Sequence, residues 1–571
     1  MSAVPAAAPP LDRAAVAALR VQATRFGAGT AAAKARALAA AARRAIVDAP
    51  TLLAYHDALL FLLAYPETPA LRDAAARELA RVAGTTRGLM QQGPAAARRA
   101  LENSGLAWTE WTIDFGFDVA RWLVRRFPGH AALHSFAADG APARSLLAGA
   151  LLPLEFELAA AGSEDSAAFV AEARGAAAAT PLRWLVDALR RLPADDVLRD
   201  RLWEALHPYV TIRPADAALS RTFVRGLPRP TYFHATGLLR AVEPARLIRQ
   251  ALPPPRRLAA AERLFIVDAG RAMLAALGRE TDAIALADPA RVAWYDLARG
   301  ASIALYVQRA LQRSPLDAHV GFVLFKSALP VGYGGGWPFL GSCRIGINIF
   351  APYRGGESAY LFCQVLRTYA RLFGVDRFVA EPSQYGGSNR EGLQSGAFWF
   401  YYRLGFRPVD RRPAALAAEA FARIEGDPGH REPLASLRRF TGGDIALQLG
   451  GPAAAPACEP AALSRAVTAW VDAHHAGNRR RAEAAALSTV ARALDLGAAA
   501  RWSDGERHAL RALAPLLALL PGLARWPVRD RRALVALIRA KGGDEVRFHR
   551  LLGAHTRLRA ALAALAATGT R

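Results

Sequence analysis

The stretch INIFAPYRGGESAYLFCQVLRTYARLFGVDRFVAEP, residues 347–382, decides the fold, and SGAFWFYYRLGFRPV, residues 395–409, completes it. This order predicts a strand, a tight turn with one arginine and two glycines, a long amphipathic helix, a second strand and an aromatic helix. A turn that opens a helix presents backbone N–H groups, which bind anions such as a pyrophosphate. The middle of the chain therefore predicts an anion site inside an α+β domain.

Short apolar runs on both sides of this stretch predict the rest of the sheet. A turn at residues 298–300 joins two of these strands, and Lys326-Ser327 joins a hairpin. The glycines at 332 and 334–336 predict a flexible link before the strand that enters the anion loop. The predicted strands are residues 282–287, 292–297, 302–307, 319–325, 329–334, 344–350, 376–381 and 444–449.

The flanking sequence has helical periodicity. Apolar residues recur every three or four positions from Leu11 to about Leu206, and again after a Gly/Pro/Ala linker at residues 450–460. We expect three parts: a helical region at 1–250, the α+β domain at 255–451, and a helical region at 455–571. The predicted fold class is α+β, a central mixed sheet between two all-helical regions.

The composition bears on whether the chain binds an acidic partner. The chain has 571 residues and a formal charge of +24, which by itself would suit an acidic partner. Of its 73 basic residues only Lys34, Lys326 and Lys541 are lysines, and the arginines are spread along the whole length. This pattern is typical of a GC-rich genome, so it does not predict nucleic acid as the main partner.

Cysteine count and hydropathy indicate a cytoplasmic protein of bacterial type. Three cysteines without a CxxC pair predict neither a disulfide framework nor a structural zinc site. The longest apolar stretch, residues 510–524, is short and broken by Pro515 and Pro521, so no membrane span is predicted. No metal site is predicted either, and the sequence leaves the oligomeric state open.

Three pieces of the central region resemble the GNAT superfamily of N-acetyltransferases. They are the strand 344–350 with the loop Arg354-Gly355-Gly356-Glu357-Ser358-Ala359, the helix 358–373 with its following strand, and Ala397 to Phe406. The resemblance implies a GNAT-like sheet that takes acetyl-CoA or another acyl-CoA as co-substrate. It implies that the loop binds the pyrophosphate, that N–H groups near Ile349 and Phe350 polarise the thioester, and that Gln394 stands where the family usually has Asn.

The same resemblance implies acyl transfer to an amine, on a small molecule or a protein. Tyr401 matches the family's usual acid, which protonates the departing thiolate. The strand 342–350 carries no carboxylate, so Glu381 is the first candidate for the general base, followed by His319 and Asp317. Glu357 replaces a family glycine, and a carboxylate beside a pyrophosphate would cost on the order of 1 kcal/mol. The alternatives are that Glu357 points outward, or that it stabilises the positive end of the following helix by roughly 0.3–1 kcal/mol.

Two other functions stay open at this point. Glu357 and the missing strand carboxylate favour a non-catalytic interaction or regulatory protein of the same fold. The net charge would suit a transferase of related fold that uses aminoacyl-tRNA.

Overall fold

The computed structural model describes residues 9–137, 141–155, 157, 166–176, 178–192, 195–215, 218–387, 389–427, 429–450, 458–497 and 501–568. Residues 451–457, which make up most of the predicted linker at 450–460, lie outside these ranges.

The N-terminal region contains a small antiparallel sheet as well as helices. Its strands are β1 (Trp111–Asp114), β2 (Ala131–Phe136) and β3 (Pro208–Ile212), in the order β1-β3-β2. The expectation of an all-helical region was therefore wrong, because β1 pairs with β3 across about a hundred residues and local periodicity cannot show such a pairing. The helices are α1 (Arg13–Ala23), α2 (Thr30–Ala42), α3 (Ala49–Ala64), α4 (Pro69–Gln92), α5 (Ala95–Leu101), α6 (Phe117–Arg126), α7 (Ala141–Ala148), α8 (Ser166–Arg174), α9 (Pro181–Arg191) and α10 (Asp196–Leu206).

The centre is an eight-stranded mixed sheet in the order β10-β11-β9-β8-β7-β6-β5-β4. All neighbours in it are antiparallel except β8 and β9, which are parallel. The strands are β4 (Ala293–Asp296), β5 (Ala301–Val307), β6 (Val320–Lys326), β7 (Leu329–Phe339), β8 (Ser342–Ile349), β9 (Arg377–Ala380), β10 (Arg407–Pro408) and β11 (Ile445–Gln448).

Helices cover both faces of this sheet. The central helices are α11 (Pro244–Ile248), α12 (Ala260–Ala276), α13 (Asp282–Ala285), α14 (Ser358–Phe373), α15 (Pro382–Tyr385), α16 (Arg390–Ser395), α17 (Ala397–Arg403), α18 (Arg411–Gly426) and α19 (Leu434–Arg438). On one face, Gly336 of β7 lets the ring of Tyr369 on α14 pack close to the strand. On the other face, Gly270 of α12 lies against Val323.

Two local predictions differ from the structure. The predicted strand 282–287 is the short helix α13 followed by a single bridge between Ala287 and Gln308. The predicted glycine link lies inside the eleven-residue strand β7. A Cβ at Gly334 would lie 2.1 Å from the carbonyl oxygen of Gly346, so this glycine permits close packing rather than flexibility.

The C-terminal helices form a second core. Its buried side chains include Leu463, Val490, Leu513 and Leu534, and Phe339 from β7 joins them. No helix within the described ranges is both long and apolar enough to cross a membrane. The helices are α20 (Pro460–His475), α21 (Arg479–Ala493), α22 (Asp504–Ala518), α23 (Val528–Lys541), α24 (Glu545–Ala554) and α25 (Thr556–Thr568).

Candidate active site

The parallel strands β8 and β9 separate soon after they pair. Their ladder covers only residues 342–344 of β8 and 377–379 of β9, although β8 continues to Ile349. From Gly346 to Ile349 the residues of β8 are half-buried. Backbone N–H groups alternate along a strand, and Phe350 donates to Val331 of β7, so the N–H groups of Ile347 and Ile349 point toward β9. Because β9 ends at Ala380, residues 345–349 of β8 have no strand partner on that side. We call this unpaired edge, directly before the loop, the opening.

Tyr401 of α17 reaches this opening. Its hydroxyl lies near the N–H of Ile347, and its ring packs edge-on against Phe362 at 5.5 Å and Phe406 at 5.3 Å. Burial raises the pKa of Tyr401 well above its usual value, although the Ile347 N–H acts in the opposite direction. The phenol thus keeps its proton at neutral pH.

The loop between β8 and α14 exposes its outer side. Arg354 and Gly355 are exposed, and Ser358 and Ala359 are half-buried. Within the described residues, the N–H groups of Gly355, Ser358 and Ala359 donate to no acceptor. Gly355 adopts a φ of +83°, which favours glycine. Such a loop offers three unpaired donors at the positive end of a helix.

Arg354 stands at the edge of the same loop. Its guanidinium contacts the carboxylate of Glu391 at 3.0 Å and the carbonyl oxygen of Ile349 at 3.3 Å. Both side chains of this ion pair are at least half exposed, so the pair is weak and Arg354 can turn toward another anion.

Glu357 points away from the loop's outer side and is completely buried. Its carboxylate accepts from Lys326 Nζ at 2.5 Å, from Arg299 Nε at 2.7 Å and from the Leu239 N–H at 2.9 Å. Burial alone would raise the pKa of Glu357, but the charge of Lys326 and these hydrogen bonds lower it. The carboxylate is thus ionised, and it does not face a ligand on the outer surface.

Lys326, Glu357, Arg299 and His234 together form what we call the ion cluster. Arg299 Nη2 donates to the Gly237 carbonyl at 2.7 Å and approaches His234 Nδ1 at 3.3 Å. Burial lowers the pKa of Lys326 to about 8 even though Glu357 opposes this shift, and it lowers the pKa of His234 to about 3. At neutral pH the cluster holds two cations, one carboxylate and a neutral imidazole, hence a net positive charge.

Sequence reasoning missed this cluster, although the rarity of lysine was a signal. All three lysines of the chain are buried against a glutamate: Lys34 with Glu67, Lys326 with Glu357, and Lys541 with Glu545, at 2.5, 2.5 and 2.7 Å. A compact ammonium fits such sites, whereas the wider guanidinium needs more hydrogen-bond partners. A lysine in an arginine-rich chain thus marks a buried ion pair.

The candidate bases lie on the sheet face opposite α14. Glu381 follows β9 and pairs with Arg344 at 2.6 Å. His319 precedes β6 and stacks on Trp337, with ring centroids 4.2 Å apart. Asp317 is half-buried, and burial raises its pKa. Glu381 and His319 thus each have a side-chain neighbour on this face.

Two glycines bring polar side chains close to the opened part of β8. Gly335 and Gly346 face each other across β7 and β8, and the side chains of His319 and Gln384 lie directly against them. The predicted residue Gln394 is exposed at the last turn of α16, outside this face. Gln384 of α15 lies against Gly346 in this part of β8 instead.

No group of three His, Cys, Asp or Glu side chains in the described part of the chain could hold a metal ion. Comparison of the chain with family models, with curated proteins and with solved structures gives no match.

Proposed function

We propose that the central domain is an N-acyltransferase that moves an acyl group from acyl-CoA to an amine. The observation that carries this proposal is the unpaired edge of β8, followed directly by a loop in which the N–H groups of Gly355, Ser358 and Ala359 have no acceptor among the described residues. The sequence resemblance to the GNAT superfamily supports it, because that family binds CoA between a strand, such a loop and the next helix.

Each residue would have a separate role. Gly355, Ser358 and Ala359 would donate to the diphosphate with Arg354 nearby, and the Ile349 N–H would polarise the thioester carbonyl. Acyl-CoA supplies the activated acyl group. The amine nitrogen would bond to the carbonyl carbon and the C–S bond would break, with Tyr401 giving its proton to the departing thiolate. Glu381 or His319 would take the ammonium proton, and solvent would return a proton to Tyr401.

Replacement of Tyr401 by Phe tests this assignment. We expect thiol release from acetyl-CoA, measured across a panel of amines, to fall about 100-fold or more, since general acids typically contribute that much. The dissociation constant of CoA should stay within about twofold, because the hydroxyl lies in the sheet opening rather than at the loop. Tyr402→Phe is the matched control, since Tyr402 is the buried neighbour whose ring stacks on Arg407.

Two results would contradict the proposal. Equal turnover in Tyr401→Phe would remove the acid role. A wild-type chain whose melting temperature does not rise with any acyl-CoA would instead favour a non-catalytic protein of this fold, because saturation at 100 times the dissociation constant adds about 2.7 kcal/mol to stability.

A further inference from the structure

The inner side of the loop is built by residues far away in sequence. Lys326 ends β6, Arg299 lies in the turn between β4 and β5, and the Leu239 N–H comes from the N-terminal region. Their common acceptor is the carboxylate of Glu357, directly before α14. The ion cluster thus joins the sheet, the turn and the N-terminal region at one residue of the loop.

A second contact fixes the loop backbone itself. The N–H of Glu357 points to the hydroxyl of Tyr65 at 3.4 Å, and Tyr65 is buried directly after α3. A Cβ at Gly356 would lie 2.5 Å from the same hydroxyl, so the loop is pressed against this ring. Both inner contacts of Glu357 are thus occupied. Gly355, Ser358 and Ala359 are by contrast exposed or half-buried, and their N–H groups have no acceptor among the described residues.

Charge and position have opposite consequences at Glu357. A carboxylate near a helix N-terminus weakens anion binding through its charge, whereas a carboxylate that orients the donors strengthens it through geometry. Here the carboxylate is shielded by two cations, and the cluster keeps a net positive charge beneath α14. The geometric effect should therefore be the larger one.

We propose that Glu357 is a positioning residue for a diphosphate at the outer side of the loop. Its inward carboxylate, held by Lys326 and Arg299, directs the loop N–H groups outward. The N-terminal residues Tyr65 and Leu239 complete this arrangement, so the diphosphate site depends on two regions of the chain. This inference rests on the proposed function, since the diphosphate is that of acyl-CoA.

The test compares Glu357→Gln with Glu545→Gln in the full-length chain. Glu545 is the matched control because it is also buried against a lysine, Lys541, but lies in the C-terminal helices. Titration calorimetry should show CoA binding at least tenfold weaker in Glu357→Gln and unchanged in Glu545→Gln. Pantetheine, which lacks the diphosphate, should bind both variants and the wild type equally, a result that general unfolding would not give.

Charge alone predicts the reverse result, since Glu357→Gln makes the cluster more positive. Equal or tighter CoA binding in this variant would therefore overturn the inference while the proposed function stands. A wild type that binds neither CoA nor pantetheine would remove both. Should Glu357→Gln fail to fold, Tyr65→Phe removes only the hydroxyl at the loop, and we expect a smaller, about threefold, loss of CoA affinity; no loss there would count against the inference.

Discussion

His234 shows how the ion cluster controls the protonation of a single side chain. Its Nδ1 faces Arg299 Nη2 at 3.3 Å, and because a guanidinium only donates, Nδ1 accepts and the proton lies on Nε2. Nε2 is buried and has no partner among the described residues. A second proton would place a third cation beside Lys326 and Arg299, so burial and these charges keep the imidazole neutral.

This neutral imidazole predicts a specific loss of stability in acid. Below about pH 6.5 the unfolded chain binds a proton at His234, whereas the folded chain does not bind it until about pH 3. The free energy of unfolding therefore decreases as the pH decreases from about 6.5 to about 3. His234 accounts for a decrease in the free energy of unfolding of at most about 1.4 kcal/mol per pH unit in this range. His234→Gln should have a shallower decline in unfolding free energy between pH 7 and pH 5, measured by urea titration.

His134→Gln is the control for that measurement, because His134 is exposed on β2 and far from the cluster in sequence. Its pH dependence should match that of the wild type. If the wild type and His234→Gln declined in parallel, the folded cluster would be accepting the proton, and our view of His234 would be wrong.

The sequence predicts the residues of this site and their contact partners only in part. The loop arginine and glycines, Tyr401 and the lysine count were visible in the sequence. The pairing of Glu357 with Lys326 and Arg299 was not, because the partners are 31 and 58 positions away and meet only through the sheet register. As a result, the sequence left the direction of the carboxylate open, whereas the structure turns it inward.

Among the elements, β7 depends most on its glycines. Gly334→Ala would bring a methyl group to 2.1 Å from the Gly346 carbonyl oxygen, a backbone atom of the neighbouring strand. The two strands would have to separate, and we expect a loss of about 1–3 kcal/mol, the usual cost of overpacking. Thermal unfolding of the variant measures it.

Gly88→Ala is the matched control, since Gly88 is exposed within α4 and a Cβ there meets no atom within 4 Å. This substitution should stabilise the chain by about 0.5–1 kcal/mol, because alanine favours a helix interior. A neutral result for Gly334→Ala would show that β7 and β8 have more freedom than their spacing indicates.

Element prediction succeeded where one face of an element decides its structure. The helix predicted at 358–373 has the bounds of α14, because its apolar spacing is regular and Gly374 ends it with a φ of +67°. Element prediction failed where a neighbouring element determines the structure. The glycines of β7 predict a flexible link, but they belong to a strand because β8 approaches them closely.

At the scale of the molecule, the central sheet and the N-terminal helices share one core. Phe61 and Tyr65 of the N-terminal region pack in the same buried cluster as Tyr353 of the loop and Phe350 before it. The C-terminal helices have a core of their own, which Phe339 joins. Such a shared core is not visible in a sequence, since the N-terminal periodicity shows an apolar face but not what covers it.

The burial of every lysine has a practical consequence for measuring local opening. Lys34, Lys326 and Lys541 lie in the N-terminal, central and C-terminal parts of the chain, each shielded by its glutamate. In native buffer an amine-reactive ester should leave all three side chains unmodified, while free Nα-acetyllysine in the same tube reacts fully.

In rising urea, each lysine should become acylated when its own surroundings open, and peptide mass spectrometry would assign the mass increase to one of the three. The chain therefore carries three built-in chemical probes, one for each part, without any engineered label. Rapid modification of one lysine in native buffer would instead identify a part of the molecule that opens on its own.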